Sequence, residues 1–198
     1  MTNDETMALL QKFCASRYDG REYLRKPILR GDHVYATNGH IMIRVPKGGL
    51  VAAELAYPKG LAEMFDKAKS GLVPWQFVDL PPLPPLKACA FCGGSGKAYQ
   101  CPSCDGEGYF IRDDEDCAKC GGSGQVTEEN PHGQVECGNC AGYGNEFNIR
   151  VEAGNAGYAD IYLHMIADLP GLEFASRGEE AAYFTFDGGD GLLMPRRA

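Results

Sequence analysis

Apolar residues recur at helical spacing in three stretches and alternate, as in strands, through most of the rest of the chain. In the stretch Asp4–Ala15, Met7, Leu10, Phe13 and Cys14 share one face, so a helix is expected there with Asp4 as its cap. A second helix is expected over Tyr57–Lys69, with Leu61, Met64, Phe65 and Ala68 turned inward. A third and longest helix is expected over Asn155–Leu169. It carries Tyr158, Ile161, Tyr162, Met165, Ile166 and Leu169 on a broad apolar face, and Pro170-Gly171 stops it. Two β-rich runs between Pro27 and Val45 flank Asn38-Gly39, a two-residue hairpin signal. Further strands are expected over Val73–Leu80, with Trp75 and Phe77, and over Phe147–Val151, Leu172–Ser176, Ala181–Asp187 and Leu192–Arg196. The fold class is α+β, a small core of helices on antiparallel sheet.

Between the two halves of this pattern the apolar periodicity disappears. Residues 87–145 hold little Leu, Ile or Val, so the core must come from residues 1–86 and 146–198, with the middle segment an inserted module. The tract Leu80-Pro-Pro-Leu-Pro-Pro-Leu86 reads as a stiff spacer leading into it; its alternative use is as a polyproline ligand. Charge sharpens the division. The formal net charge is −8, and residues 88–145 contribute nine carboxylates against Lys97, Arg112 and Lys119. Phosphate backbones are bound by cationic surface, so the middle segment is a poor reader of nucleic acid, whereas the near-neutral flanks leave that possibility open.

The chemistry of the chain lies in this acidic segment. One eight-residue phrase, C-x-x-C-x-G-x-G, occurs four times, starting at Cys89, Cys101, Cys117 and Cys137. Two thiolates three residues apart grip one side of a tetrahedral metal, and a second pair completes four-sulfur coordination. The glycines suit the positive-φ backbone that wraps the sulfurs. Eight cysteines therefore predict two closed zinc sites, with two Zn2+ as cofactors. The competing reading, a disulfide framework, needs an oxidising compartment. The amino terminus lacks the basic and apolar regions of a signal peptide, and no apolar run reaches membrane-spanning length, so a cytoplasmic protein without membrane contact is expected. Short strands are expected between the cysteine phrases at Ala98–Gln100, Tyr109–Arg112 and Gln125–Thr127, with turns at Asp113–Asp116 and Glu128–Gly133.

The four phrases resemble the cysteine-rich zinc domain of DnaJ-type co-chaperones. The resemblance implies that the first and fourth repeats share one metal (Cys89, Cys92, Cys137 and Cys140) and the second and third the other (Cys101, Cys104, Cys117 and Cys120), along a β-hairpin; spacing alone leaves the pairing open. No His-Pro-Asp loop is present, so the chain has no J-domain and stimulation of a heat-shock ATPase does not follow. The flanks are similar to a DNA sliding-clamp subdomain, on the phrases Pro27-Ile-Leu29, Ala36-Thr-Asn-Gly39 and Leu192-Leu-Met-Pro-Arg196 and on one helix followed by three strands. That likeness implies a clamp-like core, of which this chain has length for one copy, so a ring would require a homo-oligomer.

The remaining chemical candidates are weak. Cys14 is the odd cysteine, expected as a buried small hydrophobe. His33 and His40 lack second ligands at metal spacing, His132 is a conceivable extra ligand although eight thiolates already fill two sites, and His164 has no partner that would make it catalytic. Asp187-Gly-Gly-Asp-Gly191 reads as a turn whose carboxylates could also take a cation. No nucleophile triad, phosphate-binding loop or catalytic carboxylate pair is visible, so no catalytic residue is assigned. The leading expectation is a non-catalytic zinc protein acting as a protein-binding adaptor, with Tyr99, Tyr109, Phe110 and Tyr143 as partner-facing aromatics. The alternatives are clamp-like DNA association through the flanks, and thiol–disulfide or chaperone-like activity of the zinc module.

Overall fold

The computed structural model describes residues 1–17, 19–55, 60–70, 75–110, 115–146 and 149–196. The chain divides into two compact units: Met1–Ala15, Asp19–Pro84 and Asn148–Ala198 form the first, and Ser16–Tyr18 with Pro85–Phe147 the second. The fold is α+β, with three α-helices among the described residues and mainly antiparallel sheet.

Helix α1 spans Asn3–Lys12, and Thr2 caps it, not Asp4: the Thr2 hydroxyl accepts from the Glu5 N–H while the Glu5 carboxylate accepts from the Thr2 N–H. This reciprocal box is written in the sequence as Thr-x-x-Glu one turn ahead of the apolar stripe. Strands β1 (Ile28–Arg30), β2 (His33–Thr37) and β3 (Ile41–Pro46) follow as two successive hairpins, and β4 is the short Ala53–Glu54. The β2–β3 turn is centred on Gly39-His40, one residue later than expected, because the Asn38 carboxamide oxygen accepts from the His40 and Ile41 N–H groups and Gly39 takes φ +90°. Helix α2 covers Leu61–Ser70 and buries Leu61 and Phe65, but Met64 is 48% exposed, since no described residue covers that flank. The expected start of this helix, 57–59, lies outside the described residues. Strand β5 is Gln76–Val78. In the second unit come β6 (Lys97–Gln100), β7 (Tyr109–Phe110), β8 (Glu115–Asp116), β9 (Gln125–Val126) and β10 (Gln134–Glu136).

The largest departure follows. Asn155–Leu169 is not one helix: β11 (Arg150–Ala153) and β12 (Ala156–Ala159) form a hairpin turning on Gly154-Asn155, and only Asp160–Ala167 is helical, as α3. With eight residues it is shorter than α1 and α2. Gly154 at φ +68° starts the turn, and the Asn155 carboxamide is held by the Ser176 hydroxyl (2.7 Å) and the Gly178 N–H (2.6 Å). Tyr158 is buried from the strand, its hydroxyl 2.9 Å from that of Ser176 and its ring edge-on to Phe174. Its position satisfies both the helical and the strand period, so patterning misassigned it. The chain closes with β13 (Glu173–Ser176), β14 (Ala182–Phe186) and β15 (Gly189–Leu193).

The first unit is built on one eight-stranded sheet, ordered β4-β1-β2-β3-β15-β14-β13-β5, antiparallel except for β1 beside β4. Helix α2 packs Leu61 and Phe65 onto Tyr35, Met42 and Leu192. The last turn is only Asp187-Gly188, so Asp190 and Gly191 belong to a strand. A Cβ on Gly191 would fall 2.1 Å from the ring of Phe184 directly opposite, which explains the glycine. Asp190 serves an ion-pair network rather than a free cation: Arg44 meets it at 2.7 Å, Lys69 at 3.2 Å, and the Tyr183 hydroxyl donates at 3.0 Å. Cys14 is buried, and burial pushes its thiol up to about 12. The Leu80–Leu86 tract forms neither helix nor strand; His164 Nε2 lies 2.8 Å from the Pro84 carbonyl oxygen, and Pro81 and Leu83 line a cavity of about 850 Å3 with Leu169 and Leu172. No helix among the described residues is long and apolar enough to cross a membrane.

Candidate metal centres

Each cysteine phrase forms a tight knuckle. Its second cysteine is followed by left-handed backbone at the fifth, sixth and eighth positions, in all four copies. The sixth and eighth are the glycines of the motif. The fifth, filled by Gly93, Asp105, Gly121 and Ala141, is equally left-handed and was missed from sequence, although two of the four copies place glycine there. This path turns the N–H of the eighth residue back onto the second sulfur: Gly96 to Cys92 (3.3 Å), Gly108 to Cys104 (3.3 Å) and Gly144 to Cys140 (3.2 Å). N–H donors aimed at sulfur stabilise it as thiolate.

Knuckles then pair, first with fourth and second with third, by the same reciprocal contact. The Cys89 N–H donates to the Gly144 carbonyl and the Cys137 N–H to the Gly96 carbonyl. Likewise Cys101 donates to Gly124 and Cys117 to Gly108. The eighth-position glycines sit where paired backbones cross: a Cβ on Gly96, Gly108, Gly124 or Gly144 would lie 2.2–2.4 Å from the carbonyl oxygen of the partner's sixth glycine. The glycines therefore serve the pairing between knuckles as much as the turn within each.

The result is two sulfur quartets, Cys89, Cys92, Cys137 and Cys140, and Cys101, Cys104, Cys117 and Cys120, each with its sulfurs within 4.8 Å of one another. Cys92 and Cys140 sulfurs are 3.8 Å apart, Cys101 and Cys117 3.9 Å, and Cys104 and Cys120 3.8 Å. A tetrahedron with sulfur about 2.3 Å from zinc has edges of about 3.8 Å. A disulfide needs about 2.05 Å, so these thiols are arranged around a common centre and not bonded to one another. Each quartet can hold one metal ion, in a geometry that fits zinc.

The electrostatics of each quartet suit a cation. Burial pushes the Cys92 thiol up, but the Gly96 and Gly94 N–H groups and the neighbouring thiols outweigh it and bring it down to about 6. Cys101 falls to about 7 in the same way, burial being outweighed by the N–H groups of Ser103 and Cys104. Their partners go the other way: burial, and neighbouring sulfurs that have already ionised, raise Cys104 to about 11 and Cys140 to about 12. Four thiolates cannot share so small a volume without a cation between them.

Around the quartets, the sheet β10-β6-β9 runs from one knuckle pair to the other, with β6 in the middle. Gln125, which drew no attention in the sequence, is buried and ties the third repeat to the fourth: its amide donates to the Glu136 carbonyl (2.9 Å) and accepts from the Gly138 N–H (2.8 Å). The four aromatics expected to face a partner separate into two kinds. Tyr99 is half-buried against the cluster of Cys101, Cys104, Cys117 and Val126, and Tyr143 is also half-buried. Tyr109 and Phe110 stand exposed, at 45% and 40%, on the ribbon β7–β8 opposite Asp116 and Glu115. Glu115 and Asp116 thus belong to a strand and not a turn. His132 approaches Asp105 at 3.5 Å and joins neither quartet. No protein-family model matches the chain, and neither does any curated protein or solved structure.

Proposed function

We propose that the protein is a non-catalytic adaptor in which two structural zinc ions hold a ribbon that presents Tyr109 and Phe110 to a protein partner. The observation that carries this reading is the closure of both quartets. Four cysteine sulfurs already surround each centre, whereas catalytic zinc keeps a position open for water or substrate. The ribbon supports it further: a two-stranded hairpin is marginal by itself, yet this one springs directly from Gly108 and Cys117, whose backbones are hydrogen bonded across the second metal centre. Two adjacent exposed aromatics on a metal-braced ribbon are suited to anchoring in a partner's pocket. A pull-down with the full chain tests this. Capture is expected to be lost after metal removal and in the Tyr109→Ser, Phe110→Ser double variant; capture that survives metal removal refutes it. Insulin reduction is expected at background rate, and a faster rate would favour the thiol–disulfide reading instead.

A second reading, clamp-like association with DNA, is favoured by one observation. Two of the three phrases that carry the clamp resemblance, Ala36–Gly39 and Leu192–Arg196, lie close together: the Met194 N–H donates to the carbonyl of His40, the residue after the first (2.9 Å). Thr37, Gly39 and His40 line one apolar cavity of about 250 Å3 with Leu192 and Met194. Salt-sensitive binding to duplex DNA is the expected result, and no mobility shift at low salt counts against it.

A further inference from the structure

The eight-stranded sheet ends on an edge unlike those that usually face solvent. Strand β5 pairs only with β13 among the described residues, leaving its other edge unbonded. Natural edges are blunted with lysine, proline or inward charge, because a bare edge templates pairing with another chain. Gln76-Phe77-Val78 carries no charge, and Phe77 at its centre is 65% exposed. The register shows why that ring is left over. Phe77 stands opposite Ala175, which stands opposite Tyr183, then Leu192, then Met42, so all share the sheet face on which α2 packs. Helix α2 covers the inner end of this row, at Met42 and Leu192. The row runs out past it.

We infer that β5 is a dimerisation edge, on which a second copy of this chain adds its own β5 antiparallel about a twofold axis through Phe77, joining two sheets into one. The strand is complementary to itself in this register. Phe77 faces Phe77 of the second copy as a cross-strand aromatic pair, Gln76 faces Val78, and Trp75 faces Asp79, so no like charges meet. Shifting the centre to Val78 would set Phe77 against Asp79. The other end of the sheet is a poorer partner: β4 is two residues long, and one of them is Glu54. A β5–β5 contact is isologous and closes at two copies, whereas a β5–β4 contact would be heterologous and build rings or filaments.

The experiment is sedimentation of the full metal-loaded chain over a concentration series, with Phe77→Glu and Phe77→Lys variants. The expected species is twice the chain mass. Each variant alone should dissociate at least ten times more readily, because like charges then meet at the axis. An equimolar mixture of the two should regain the dimer, because glutamate then faces lysine. Circular dichroism and metal content show that the variants are folded. A monomer throughout the concentration series, a larger assembly, a dimer indifferent to both variants, or folded variants that are not rescued on mixing would each overturn the assignment.

Discussion

Gly96→Ala should cripple the first metal centre far more than Gly93→Ala, though both glycines lie in one knuckle at nearly the same φ, +69° and +60°. A Cβ at residue 93 meets nothing within 4 Å, so that variant isolates the left-handed penalty, about 1 kcal/mol. A Cβ at residue 96 would lie 2.3 Å from the Gly142 carbonyl oxygen, a contact no packing tolerates. Relieving it means moving paired knuckles apart by about 1 Å, which sacrifices the Cys137 to Gly96 hydrogen bond, worth about 1 kcal/mol net. It also spoils the 3.8 Å sulfur spacing. With the conformational penalty, the loss is about 2–3 kcal/mol, or roughly 30- to 150-fold in affinity at that site, against about fivefold for Gly93→Ala. Competition with a chromophoric zinc chelator, resolved into two sites, measures both. Equal losses in the two variants would show that the glycines serve only their own turns, and the argument from pairing would fail.

Among the described residues Ala141 is the one alanine held at positive φ, +50°, so Ala141→Gly should stabilise the fourth knuckle by about 0.5–1 kcal/mol after the entropy glycine gains in the unfolded chain; a thermal melt of the metal-loaded protein checks it. The Asp190 carboxylate is pushed up by burial but drawn lower overall by Arg44, Tyr183 and Lys69. Its folded pKa is depressed, so its contribution is complete above the unfolded carboxylate range and lost as pH falls through the folded value. Asp190→Asn should cost about 3 kcal/mol at neutral pH and should flatten the loss of stability on acidification, read from urea melts at several pH values. Stripping metal should abolish hydrogen-exchange protection in β6, β9 and β10 while leaving β3 and β15 protected. In the stripped protein, iodoacetamide should label the eight knuckle cysteines and spare Cys14, whose burial holds it as a thiol; early labelling of Cys14 would show that metal also supports the core.

What could be read from the sequence divides along physical lines. Phrases whose chemistry is local were legible: eight thiols at fixed spacing with glycines between them have few other uses. The α+β class was legible too, because its alternating and helical stripes are long enough to distinguish. Asn155–Leu169 failed because Tyr158 fits both periods, and Gly154-Asn155 starts a turn only when Ser176, from a distant strand, is there to hold Asn155. Phe77 could be placed on a strand from its pattern, but its exposure depends on β5 being last in a sheet order that no local pattern encodes. The same holds for Asp190. As part of a glycine-rich turn it read as a carboxylate that could take a cation, yet the turn ends three residues earlier, at Gly188, and Asp190 stands directly across from Arg44.

The pairing of first knuckle with fourth and second with third is nested, like brackets. During synthesis the inner bracket can close once Gly124 has emerged, while the outer must wait for Gly144. The sulfurs brought together are 16 residues apart in the inner centre and 48 in the outer. On chain entropy alone, closing the outer one directly costs about 1 kcal/mol more. With the inner centre already formed, much of that intervening chain is no longer free, and the cost falls. The fold thus carries its own loading order, in which the first ion captured prepares the place of the second.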